Sequence, residues 1–230
     1  MHNGTIQKST FSFLKTLSKN NNREWFNENK PEYIKAQDNM IAFADALLDE
    51  MNRHDKIETA SGKKSLYRIY NDIRFSKDKT PYKKNFSGGF RRATKKRRGG
   101  YYFHIEAGNS FVAGGFWGPN PDDLKRIRQD IDINYPDLKK ILTNKNFVKT
   151  FGKLRGEQVL TAPRGYSKEH PGLELLRYKQ FIVKHTFTDE EVLSPGFVQS
   201  ANKTFKEMRP FLDYMTEVLT TDLNGISLVD

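Results

Sequence analysis

The chain contains no cysteine in 230 residues. That removes disulfides, thiolate nucleophiles, iron–sulfur clusters and cysteine-bound zinc together, and it fits a reducing, cytoplasmic setting. Long apolar runs are missing too. The polar start from Met1 to Thr10 is followed by Phe11, Phe13, Leu14 and Leu17, which alternate with Ser, Lys and Thr. No stretch approaches the roughly 18 apolar residues that a membrane span needs, so a soluble protein with no membrane partner is expected. The five histidines, His2, His54, His104, His170 and His185, form no His-x-His or His-Glu-x-x-His pair, and no metal site is expected. Gly114-Gly115 and Gly118 precede a helix start without Gly-x-x-x-x-Gly-Lys-Ser/Thr. Asp122 and Asp123 put negative charge where a phosphate would sit, so close packing or a bulge explains these glycines. Ser76 and Ser167 lack the Gly-x-Ser-x-Gly turn of serine hydrolases, no carboxylate pair suggests glycoside hydrolysis, and no cofactor is implied.

Core-forming material is present: 17 Phe and 10 Tyr within 36% hydrophobic residues. A chain this long buries a core without staples. Thr10 or Ser12 can cap a short helix through Leu17, and a second helical piece carries Trp25 and Phe26. Pro31 opens a longer helix with Ile34, Met40, Ile41, Ala44, Leu47, Leu48 and Met51 on one face. From Tyr67 the period becomes two. Tyr67, Ile69, Ile73 and Phe75 alternate with Arg68, Tyr70, Asp72 and Arg74, the pattern of a strand with one charged face. Further strands are expected near 85–92, over 101–106 and 111–116 as a hairpin, and near 179–186. Asn120 and Pro121 begin another helical region, broken near Pro136, and a last helix runs from about Gly196 to Thr221. The expected fold is a single α+β domain over 1–230, with a loose tail over about residues 1–9. A central antiparallel meander sheet is flanked by N-terminal and C-terminal helices.

Positive charge is concentrated. Between Lys63 and Arg98 there are fourteen Lys/Arg and two Asp, a net +12 against +11 for the whole chain. Such local basicity marks a surface that meets anions. The densest chemistry lies over 67–84. Arg68, Asp72 and Arg74 share the charged face, and the following loop brings Ser76, Thr80, Lys77, Lys79 and Lys83. Cations beside hydroxyls and loop N–H groups suit a phosphate or carboxylate. The alternative is an Arg–Asp–Arg ladder that pairs only its own charges.

The run Arg74-Phe75-Ser76-Lys77-Asp78-Lys79-Thr80-Pro81-Tyr82-Lys83 resembles the signature of the domain-of-unknown-function 2461 family, a mostly bacterial group. The resemblance includes Asn21-Asn22-Arg23-Glu24-Trp25-Phe26, Gly100-Tyr101-Tyr102, Gly114-Gly115, Pro163-Arg164-Gly165-Tyr166 and His170-Pro171. The chain departs from the family pattern at Asn71, where that pattern has a basic residue. The resemblance implies a soluble mixed α/β fold and carries no activity, substrate or cofactor.

Four readings follow. The first is a binding protein for a phosphate-bearing or other anionic small molecule at Arg68, Arg74, Ser76, Lys77, Lys79 and Lys83, with Asp72 orienting the arginines. The second is an enzyme acting on an anionic small molecule at the same place. There His170 or Tyr82 supplies acid–base chemistry, and Arg164 and Lys179 add charge stabilisation. The third is a nucleic-acid partner held by a basic hairpin tip, Arg91, Arg92, Lys95, Lys96, Arg97 and Arg98, with Tyr101, Tyr102 and Phe103 available for stacking. The fourth is an interaction module without a small-molecule site. The sequence leaves the oligomeric state open.

Overall fold

The computed structural model describes residues 4–93, 95–222 and 224–229. Strands β1 (Phe86–Arg91), β2 (Gly100–Ile105), β3 (Ser110–Phe116) and β4 (Phe181–Phe187) lie side by side in chain order, an antiparallel meander. Helices α1 (Lys8–Lys19), α2 (Arg23–Glu28), α3 (Lys30–Met51) and α4 (Gly62–Ser65) precede the sheet. Helices α5 (Pro121–Leu142), α6 (Lys145–Phe151) and α7 (Leu173–Leu176) separate β3 from β4. Helices α8 (Asp189–Leu193), α9 (Phe197–Glu207) and α10 (Arg209–Thr220) follow. The fold is α+β. None of its helices among the described residues is long and apolar enough to cross a membrane.

The chain divides into two compact units that interleave along the sequence. The first comprises Met1–Phe90, Tyr102–Val112 and Thr186–Lys203, the second Arg91–Tyr101, Ala113–His185 and Thr204–Asp230. In the first, α3 buries Met40, Phe43, Ala44, Leu47 and Met51. Phe43 meets Phe103 edge-on at 5.6 Å and stacks on Phe197 at 5.4 Å. The expected loose tail is tied down from Gly4. Ile6 is buried, the Gln7 N–H donates to Asn39 Oδ1 at 2.9 Å, and the helix begins at Lys8. Thr10 is therefore not a cap but a buried helical residue whose hydroxyl also donates to Asn39. Residues 1–3 of that tail, and Thr94 of the basic turn, lie outside the described residues.

The second unit shows several expected local signals. Asn120 Oδ1 accepts from the Asp123 N–H at 2.8 Å, and Pro121 opens α5. Backbone at Asn134 leaves the helical region just before Pro136, which cannot donate to the preceding turn. The expected last helix is two, because Pro210 lacks an N–H where α9 would continue into α10. Gly115, at φ +132°, lets the neighbouring strand approach: a Cβ there would stand 2.1 Å from the Phe181 carbonyl oxygen. Close packing is indeed what that glycine serves.

One buried charge organises this unit. The Arg92 side chain is 1% exposed. Its Nη1 donates to the carbonyls of Arg98 and Leu212 and to Thr216 Oγ1 at 3.0, 3.2 and 3.0 Å, and its Nη2 pairs with Asp213. Arg209, one helical turn before Asp213, holds the same carboxylate at 2.8 Å. Arg92→Ala would remove a buried guanidinium from Asp213 and from the Arg98 and Leu212 carbonyls, leaving Thr216 Oγ1 as the side-chain donor within reach of both carbonyls. It should cost on the order of 3 kcal/mol, at the low end for a broken buried pair because Asp213 keeps Arg209. Urea denaturation would measure this, and Arg91→Ala, on an exposed neighbour, serves as the comparison.

Candidate functional site

The segment 67–83 is not a strand. Among the described residues it holds one isolated bridge, Tyr70 with Tyr82, and Leu66 bridges to Gly88 just before it. It folds back on itself as an arm of the first unit. Local side-chain bonds take the place of a ladder. Asp72 Oδ1 accepts from the Arg74 N–H and Nε, and Oδ2 accepts from Arg74 Nη2 at 2.7 Å. Ile69 is buried, whereas Phe75, on the same expected face, is 96% exposed.

Two asparagines fix the arm. Asn21 Oδ1 accepts from the Tyr82 N–H at 3.0 Å, and its Nδ2 donates to the Tyr82 carbonyl at 2.8 Å. Asn71 Nδ2 donates to the Thr80 and Tyr82 carbonyls at 3.0 Å each, and its N–H to Pro81. The Tyr82 ring is buried in a parallel stack 3.9 Å from Phe26. Burial, then the nearby Tyr70, raise the Tyr82 phenol above its usual range.

The arm's cations divide by what they touch. Lys83 Nζ donates to the carbonyls of Arg68 and Tyr70 at 2.5 and 3.1 Å, and Lys79 Nζ to that of Ile73 at 2.8 Å. Burial, then the like charge of Arg68, push the Lys83 ammonium below the usual lysine value. Arg74 is bound to Asp72 yet 75% exposed. Arg68, Ser76 and Lys77 are exposed, and the side chains of Arg68 and Lys77 make no hydrogen bond or ion pair among the described residues. The expected three-membered ladder is thus a single Asp72–Arg74 pair, with Arg68 outside it.

The model of one family, described as conserved hypothetical protein (DUF2461), matches residues 9–214. This chain belongs to the DUF2461 family. No curated protein and no solved structure matches it. Two of the segments that carry the family resemblance, 21–26 and 74–83, meet in this DUF2461 chain through the Asn21 clamp and the Phe26–Tyr82 stack. Asn71 is a structural tie of the arm.

The remaining candidates belong to the second unit. His170 accepts the Gly172 N–H on Nδ1 at 2.9 Å, and its Nε2 lies 3.3 Å from the Asp132 carbonyl and 3.4 Å from its carboxylate. Both ring nitrogens are thereby engaged in fixing the loop around Pro171. Lys179 pairs with Glu157 at 3.3 Å, and Arg164 is exposed. In the basic turn, Arg92 is the buried staple described above. Arg98 is half-buried in an ion pair with Asp123, while Arg91, Lys95 and Lys96 are exposed and Arg97 is intermediate. The expected cationic tip therefore loses Arg92 to the interior and Arg98 to a half-buried ion pair, and buried Tyr101 and Phe103 offer no stacking face. A run of cations does not reveal which of them a distant carboxylate such as Asp213 claims.

No group of His, Asp or Glu among the described residues could hold a metal ion. A cavity of about 490 Å³ that the sequence did not disclose is lined by Arg126, Asp130, Asp137, Tyr214, Glu217 and Asp222. Tyr214 donates to Asp130 there, and burial raises its phenol far above the ordinary value. Its sign is opposite to that of the arm.

Asn71→Ala removes two partly buried hydrogen bonds, worth roughly 1–2 kcal/mol together. Amide exchange should accelerate at Asn71 and Lys83, whose N–H groups bond to Pro81 and Ile69, and stay unchanged in α3. Uniform acceleration throughout the first unit would contradict a local role.

Proposed function

We propose that this DUF2461 chain binds a phosphate-bearing ligand on the 68–83 arm. One arrangement carries the reading: Lys83 Nζ is tied to the Arg68 and Tyr70 carbonyls, and on the same arm Arg68 and Lys77 stand exposed with side chains that make no hydrogen bond or ion pair among the described residues. An anion seated on this stretch would give such cations charge-assisted hydrogen bonds. Arg74, Lys77, Lys79 and the Ser76 hydroxyl extend the same surface. Binding is favoured over catalysis because Tyr82 is buried against Phe26 and His170 is committed to its own loop. A reducing cytoplasmic setting fits the lack of cysteine.

Lys83 must be protonated to hold the ligand. Its ammonium lies below the usual lysine value, so affinity should fall as pH rises through that lowered value, before free lysine would titrate. Below it the affinity should be constant with no proton exchanged; as pH passes above it, the affinity should fall and binding should take up a proton. Calorimetric titration with inorganic pyrophosphate would measure this. Arg68→Ala should weaken binding about fivefold or more, Lys83→Arg should flatten the pH dependence, and Lys95→Ala should change neither. A larger effect at Lys95 than at Arg68, or no heat at any pH, would contradict the reading.

A further inference from the structure

The arm carries an unusual set of exposed rings. Phe75 is 96% exposed, Tyr67 55% and Tyr70 50%, all within nine residues. They interleave with Arg68 and Arg74 and run on to Lys77 and Lys79. A side chain such as Phe75 gives up most of its hydrophobic gain by standing in water, and no packing within the first unit compensates it. Its neighbour Arg74 lies 6.0 Å from the ring centroid. Tyr67 is backed by Tyr102 at 6.2 Å in a near-parallel stack. Tyr70 is backed by Tyr82 at 5.4 Å and Phe26 at 6.2 Å. Each tyrosine is thus supported on one side and half open on the other.

We infer that the phosphate-bearing ligand of this arm is single-stranded nucleic acid, with Phe75, Tyr70 and Tyr67 as base-stacking surfaces and Arg68, Arg74, Lys77 and Lys79 tracking the backbone. The inference rests on the phosphate-binding reading above and adds the identity of the ligand. Alternating rings and cations on an open segment match a polymer that alternates bases and phosphates. A small phosphate compound would use the cations and leave the rings idle. A duplex keeps its bases stacked on one another and out of reach of rings on an exposed arm. An anionic lipid surface would be met by Phe75, but Tyr67 and Tyr70 are held against their partner rings and cannot insert. Charge complementarity and ring supply together therefore favour the single strand.

Fluorescence anisotropy of the full chain with a labelled 15-nucleotide oligothymidylate tests this. The wild type should bind, and unlabelled duplex of equal length should compete poorly. Phe75→Ala, which removes a side chain that is 96% exposed and whose ring faces only Arg74 at 6.0 Å among the described residues, should weaken binding about tenfold with little change in the salt dependence. Lys77→Gln should instead lower the slope of log affinity against log salt by roughly 0.7. Oligothymidylate binding that Phe75→Ala leaves intact, or that duplex matches, would overturn the inference. So would binding by Phe75-dependent capture on phosphatidylserine vesicles with none to oligothymidylate. In any of these cases, retained pyrophosphate binding sensitive to Arg68→Ala would leave the phosphate reading standing. Loss of both would sink the two together.

Discussion

The clamp on the Tyr82 peptide is the constraint on which the arm depends. Asn21 meets both its N–H and its carbonyl, as a neighbouring strand would, and Asn71 meets the same carbonyl from within the arm. A segment rich in cations repels itself and would otherwise extend into water. Neutral carboxamides hold it without spending any positive charge. The Phe26–Tyr82 stack adds an apolar anchor beneath. Once Tyr82 is fixed, Lys83 reaches back to the Arg68 and Tyr70 carbonyls, and the exposed cations and rings take their places around a defined backbone.

The basic region therefore contains charges with different duties. Arg92 is an interior staple, and its guanidinium supplies donors where β1 ends near α10. Arg98 is tied to Asp123 near the start of α5. Lys79 and Lys83 close carbonyls of the arm, and Arg68, Arg74 and Lys77 present charge outward. Counting cations along the chain gives the net potential, but it does not separate structural cations from those that can meet a ligand.

Much of the fold was legible because its signals are local. Asn120-Pro121 start α5 through a cap and a fixed φ, Pro31 sits at the start of α3, and the 101–116 alternation forms a hairpin. The arm was misread as a strand because its alternation is real in composition but has no ladder partner, and Asp72 closes the chain locally instead. Arg92 was misplaced because its partners lie about 120 residues away. Of the candidate site, the segment and its cations were visible. The Asn21 and Asn71 ties and the exposure of Tyr67, Tyr70 and Phe75 emerge only from tertiary contacts.

The most direct test of the central claim is a residue-by-residue map of where an anion sits. Amide shifts of the ¹⁵N-labelled full chain, followed during titration with inorganic pyrophosphate, would provide it. The account predicts the largest shifts at Arg68, Arg74, Lys77 and Lys79, with smaller ones at Lys83 and Asn71. Shifts centred on Lys95–Arg97, or on Glu157 and Lys179 in the second unit, with the arm silent, would contradict it.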